Sequence, residues 1–152
     1  MEVAVAFDHR GVKLRERVLD ELGALRHAVV DLGTETDAER VDYPDKAREL
    51  GEAIQRGEAE RGILVCGSGV GASIAACKLA GIRAAVCHDE ETARLSRQHN
   101  DLNVLALAGR ACSREQAIRI VAAWLGTAFE GGRHERRLAK VAELEVTGAA
   151  AR

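Results

Sequence analysis

The chain has 152 residues, 47% of them hydrophobic and 30% charged, which suits one globular domain with a sizeable core. Lys plus Arg number 22 against 24 Asp plus Glu, a net charge of −2, which argues against a general nucleic-acid or membrane-binding surface. No apolar run reaches the roughly 18 residues that a bilayer span needs, and the start of the chain lacks the basic region of a signal peptide.

Strand-like runs alternate with helical patterns along the chain. Val3–Phe7 is an apolar run that ends at Asp8-His9-Arg10-Gly11. A helical period follows over Val12–Leu25, carried by Leu14, Val18, Leu19, Leu22 and Leu25. Ala28–Leu32 reads as a second strand and Thr34–Tyr43 as a polar loop. Pro44, the only proline, suits the first turn of a helix over Asp45–Gly57. Ile63–Cys66 is a third strand, with a helix from Gly71 to Leu79. Arg83–Cys87 is a fourth strand and Asp89–Gln98 its helix. Val104–Ala108 is a fifth strand, and Ser113 is a good N-cap for a helix to Leu125. A last basic helix spans Gly132–Leu144, which leaves one domain over 1–145 and a tail over 146–152 that is expected to fray.

This alternation implies a single-domain, doubly wound, Rossmann-like α/β fold with five parallel strands flanked by helices. Ligands of such sheets bind beyond the carboxyl ends of the strands. Polar residues gather there: Asp8 and His9, Cys66 and Ser68, His88 and Asp89, and Arg110.

The densest signal is Ile63-Leu-Val-Cys-Gly-Ser-Gly-Val-Gly-Ala-Ser73. Glycines at 67, 69 and 71 between a strand and a helix let several backbone N–H groups surround one small space. An anion is favoured in that space, and so is the thiolate of a cysteine at its rim. The spacing is neither that of a dinucleotide site nor that of a P-loop. Glycines used only for close packing are the competing reading. The four cysteines, at 66, 77, 87 and 112, include no CxxC pair, so they read as reduced thiols in a cytoplasm rather than structural zinc ligands.

Other polar groups have plain structural alternatives. Asp8 could cap the following helix, and Tyr43 could be a half-buried residue of a helix-opening turn. In Ser96-Arg-Gln-His-Asn-Asp101, His99 has the titration range of a general acid or base, or it could satisfy the carbonyls of a helix end. Arg133 and Arg137 lie four apart on one helix face, with His134 between them, and suit a phosphate dianion or a solvated cationic face.

Taken together, Asp8-His9, Asp42-Tyr43-Pro44, Gly62–Gly71, Ala80-Gly-Ile-Arg-Ala84, Ser96–Asp101, Trp124-Leu-Gly126 and Glu130-Gly-Gly-Arg-His134 resemble one family. It is the sugar-phosphate isomerase family that holds ribose-5-phosphate isomerase B and the galactose- and allose-6-phosphate isomerases. The resemblance covers residues 2–140, with the motifs in family order. It implies interconversion of ribose 5-phosphate and ribulose 5-phosphate by ring opening and a cis-enediolate, in the non-oxidative pentose phosphate pathway.

By the same resemblance Cys66 is the base that moves a proton between C2 and C1, with Ser68 assisting. Relatives that use a glutamate carry it at the position of Ala75, so this chain is of the cysteine type. His99 opens the furanose ring and Asn100 holds a hydroxyl. Gly67, Gly69, Val70 and Gly71 surround the enediolate oxygen, while Asp8 and Tyr43 orient the sugar. His9, Arg110, Arg133 and Arg137 bind the phosphate, with His134 a weaker member. No metal or cofactor is called for.

The family's site lies between two subunits, which implies a homodimer, pairing further into a tetramer in some members, with the His99–Arg110 segment lent by the neighbour. Phe7 departs from the family's small or thiol residue and is expected to reshape the sugar pocket slightly. A six-carbon sugar phosphate is the alternative substrate, and a phosphosugar-binding module without catalysis is the alternative function.

Overall fold

The computed structural model describes residues 1–150, with side chains through Val146. Five strands form one parallel sheet in the order β2-β1-β3-β5-β4. They are β1 Glu2–Phe7, β2 Ala28–Asp31, β3 Arg61–Cys66, β4 Ala84–Val86 and β5 Val104–Ala108. The helices are α1 Arg15–Ala24, α2 Tyr43–Gln55, α3 Val70–Ala76, α4 Glu90–Asn100, α5 Arg114–Leu125 and α6 Arg133–Ala150. The doubly wound α/β expectation is met, and the shifts in element limits are mostly one to three residues.

The central strands are buried on both faces, as all-parallel sheets require. Val3, Val5 and Phe7 of β1 join Ile63 and Val65 of β3, Leu105 and Leu107 of β5, and Trp124 of α5 in one core. The alternate residues Ala4, Ala6, Leu64 and Cys66 form a second core with Leu50 of α2 and with Ala72 and Ala76 of α3. The two-residue period of a strand thus sends Cys66 to the α2–α3 face. Phe7 is fully buried in the core on the opposite face from Cys66.

Three local differences bear on the site. The helix after β1 opens as a 3-10 turn over Val12–Leu14 before α1. The helix after the glycine turn has only seven residues, so the loop amides matter more there than a helix dipole. The last helix runs on to Ala150 and covers most of the tail expected to fray; residues 151 and 152 lie outside the described residues. The Ser113 cap is as expected, with Gln116 returning the hydrogen bond in a capping box. No helix among the described residues is long and apolar enough to cross a membrane.

Candidate active site

Three turns converge at the carboxyl end of β1, β3 and β5. After β1, Asp8 is buried, and its Oδ1 accepts hydrogen bonds from the amides of Arg10 and Gly11, each at 2.8 Å. Asp8 therefore closes the turn after β1 rather than capping a helix, since neither the 3-10 turn nor α1 has a side-chain cap, and it fixes where His9 and Arg10 emerge. Gly11 is held against β3 so closely that a Cβ there would sit 2.1 Å from the Val65 carbonyl oxygen. His9 turns towards the loop before α2, where the Val41 amide donates to its Nδ1 at 3.2 Å.

After β3, Cys66 is 4% exposed, and its sulfur accepts a hydrogen bond from the Gly69 amide at 3.1 Å. Gly69 has φ +78°, a left-handed conformation that favours glycine and turns its N–H back onto the sulfur. Ser68 is exposed, and its Oγ accepts from the Val70 amide at 3.3 Å. The Tyr43 ring packs against Gly71: a Cβ at that glycine would meet ring carbons at 2.6 to 3.0 Å. Tyr43 is 41% exposed and opens α2, so the partly buried helix-opening reading holds, with the ring beside the glycine turn.

After β5, the Gly109 amide donates to the Cys66 carbonyl at 2.7 Å and the Arg110 amide to that of Gly67 at 2.9 Å. Arg110 is thereby pinned beside the thiol turn, with its side chain exposed. The sequence reading missed Arg10. Its side chain runs across Gly67, where a Cβ would lie 3.1 Å from Arg10 Cδ. Among the described residues it forms no ion pair. The available signal was its place directly after Asp8-His9.

His99 and its neighbours lie elsewhere. Helix α4 runs back against the strands, so His99 and Asn100, at its end, stand near the start of β5. Cys66 pairs in register with Ala108, at the far end of that strand. Four residue steps separate Val104 from Ala108, about 13 Å of strand. The chain after α5 returns to the His99 end, where the Glu130 amide donates to the Gln98 carbonyl at 3.1 Å. His134 opens α6 there, buried, with its ring stacked on His99 at 4.4 Å and 12° from parallel. Glu130 lies 3.6 Å from His134 Nε2, and Arg133 Nε donates to the same nitrogen at 3.4 Å. Burial pushes the His134 imidazole below its ordinary range; His99 and Arg133 add to this and Glu130 opposes it. Arg133 and Arg137 are exposed, and among the described residues neither pairs with a carboxylate.

The expected site residues thus form two groups at opposite ends of the strands of one sheet. Asp8, His9, Tyr43, Cys66, Ser68, the glycine turn and Arg110 make the first; His99, Asn100, Arg133, His134 and Arg137 make the second. His99 and Arg110 bracket β5, so within one chain the expected His99–Arg110 segment is divided between the two groups.

A parallel α/β sheet with a buried thiol held by an amide in a glycine turn, and exposed arginines beside it, has the features of an enzyme that acts on a small anionic metabolite. The ribose/galactose isomerase family model matches residues 3–141. Ribose-5-phosphate isomerase B of Escherichia coli is 46% identical over 95% of this chain and 96% of its own length. D-erythrulose-4-phosphate isomerase of Pectobacterium atrosepticum is 37% identical over 95% of each. The structure of Clostridium thermocellum ribose-5-phosphate isomerase B superposes with a TM-score of 0.94 at 45% identity, over 97% of this chain and 99% of that one. That of the Mycoplasma genitalium enzyme with bound ribulose-5-phosphate does so at 0.89 and 39% identity, over 95% of each. The chain belongs to the ribose/galactose isomerase family.

Proposed function

We propose that this protein interconverts D-ribose 5-phosphate and D-ribulose 5-phosphate in the non-oxidative pentose phosphate pathway of the cytoplasm. The observation that carries the reading is the Cys66 sulfur held by an amide inside the glycine turn, in a chain 46% identical to a ribose-5-phosphate isomerase B. His99 opens the ring by proton exchange at the ring oxygen and the anomeric hydroxyl, with Asn100 holding a hydroxyl. Cys66 then takes the proton from C2 and returns it to C1, with Ser68 supporting it, while the hydroxyl proton passes from O2 to O1 in the enediolate. The amides of Gly67, Gly69, Val70 and Gly71 hold the enediolate oxygen while charge develops there. Asp8 and Tyr43 orient the sugar. His9, Arg110, Arg133 and Arg137 hold the phosphate, with His134 behind them, and this positions the reacting carbons.

Cys66 lies beside the end of β5 and His99 near its start, so in this reading one site takes each of them from a different copy of the chain. A homodimer with two shared sites follows. The exposed apolar residues Ile74 of α3 and Val141 of α6 give a second copy surface to bury.

Rates on ribose 5-phosphate, allose 6-phosphate and D-erythrulose 4-phosphate, measured side by side with chelator present, test the substrate. The pentose phosphate is expected to turn over fastest. Turnover of only another sugar phosphate overturns the substrate, and turnover of none overturns the isomerase.

Arg10 adds a cation to the first group. Arg10→Ala is expected to raise KM for ribose 5-phosphate about tenfold, the loss of one charge-assisted hydrogen bond, and to change kcat little. Inhibition by inorganic phosphate weakens in parallel. Unchanged KM and phosphate inhibition would remove Arg10 from the site.

A further inference from the structure

The stacked pair His99–His134 and the carboxylate of Glu130 bring three ligand atoms within 4.8 Å of one another. Two of them, His134 Nε2 and Glu130 Oε2, are 3.6 Å apart. Ligands on a tetrahedral zinc ion, at bonds of about 2.0 to 2.1 Å, stand about 3.3 Å from one another. That pair is therefore almost spaced for one ion. His99 completes the set when its ring tilts out of the stack and aims a nitrogen at the same point. His134 is 4% exposed and anchors the group, while Glu130 is open to solvent and gives an ion its way in.

We propose that His99, Glu130 and His134 bind a divalent transition-metal ion of the zinc class. Resting on the isomerase reading above, an ion there inhibits the enzyme, because it takes the imidazole lone pair that ring opening needs. Two imidazoles and one carboxylate suit zinc and its neighbours, whereas magnesium and calcium require oxygen ligands. The adjacent Arg133 and Arg137 oppose a dication, and Arg133 Nε must release His134 Nε2 before the ion can take it. The site is accordingly one of reversible occupation, in competition with the sugar phosphate.

Metal-stripped protein is titrated with Zn2+ against a chromophoric indicator at pH 7.5, and the isomerase rate is read on the same samples. One zinc per chain is expected, with a proportional loss of rate that chelator restores and Mg2+ does not cause. Glu130→Gln is expected to weaken zinc binding about tenfold or more, and His134→Asn to do the same. Cys77→Ser and Cys112→Ser, which remove the more accessible thiols outside the site, keep the wild-type affinity. Equal zinc affinity in Glu130→Gln and His134→Asn overturns the proposal, as does a loss of binding in either cysteine variant. If zinc binds as expected and the metal-free protein turns over no sugar phosphate, the metal site stands and the isomerase reading falls.

Discussion

Replacing Cys66 with alanine is expected to lower kcat on ribose 5-phosphate by on the order of a thousandfold or more, with KM and the fold nearly intact. The sulfur is the only group in the glycine turn able to accept and return a carbon-bound proton. The neighbouring hydroxyl of Ser68 is a far weaker base, and Ala75 offers no carboxylate in its place. The substitution removes one atom from the α2–α3 core and costs the fold about 1 kcal/mol. Alkylation gives the same answer by another route: iodoacetamide inactivates, and sugar phosphate protects. Cys87 is buried, and burial pushes its thiol up, so it stays inert. A Cys66→Ala variant with wild-type kcat would end the proton-transfer assignment.

Mixing two dead variants should restore activity. Cys66→Ala and His99→Asn protomers are each expected to be inactive alone. In a mixed dimer that shares its sites, one site carries both defects and the other carries neither. Random reassortment makes half of the dimers mixed, so about a quarter of the wild-type rate returns. The measurement is rate against mixing ratio after the subunits have been allowed to exchange. A rate that stays at zero, with exchange verified by mass, means that each chain builds its own site. That outcome would overturn the shared dimer and leave the family membership untouched.

Much of this architecture was legible because parallel strands announce themselves. Ile63–Cys66 and Val104–Ala108 are unbroken apolar runs, and the glycines after Cys66 leave few alternatives to a tight turn. The Ser113 cap was readable from one residue and its partner three places on. Long-range pairings were not. His99 and His134 are 35 positions apart, and nothing in either segment announces that their rings stack. Arg10 was passed over because a lone arginine at a turn has no pattern; only the packing of the β1 turn on Gly67 gives it a direction. Tyr43 opens its helix instead of preceding it, since a proline at the next position fits the first turn as well. Where His99 lies relative to Arg110 follows from the direction of α4, which adjacency in sequence conceals.

The length of β5 also has a genetic meaning. In the proposed dimer each chain carries one half of both sites, one at either end of that strand, so a chain's defects are distributed to its partner. A chain with a single defect leaves one intact site in a mixed dimer with a normal chain. A chain with defects at both ends silences both sites of that dimer. A cell making such a double variant beside the normal protein would therefore lose more activity than gene dosage predicts, and the trait would behave as dominant.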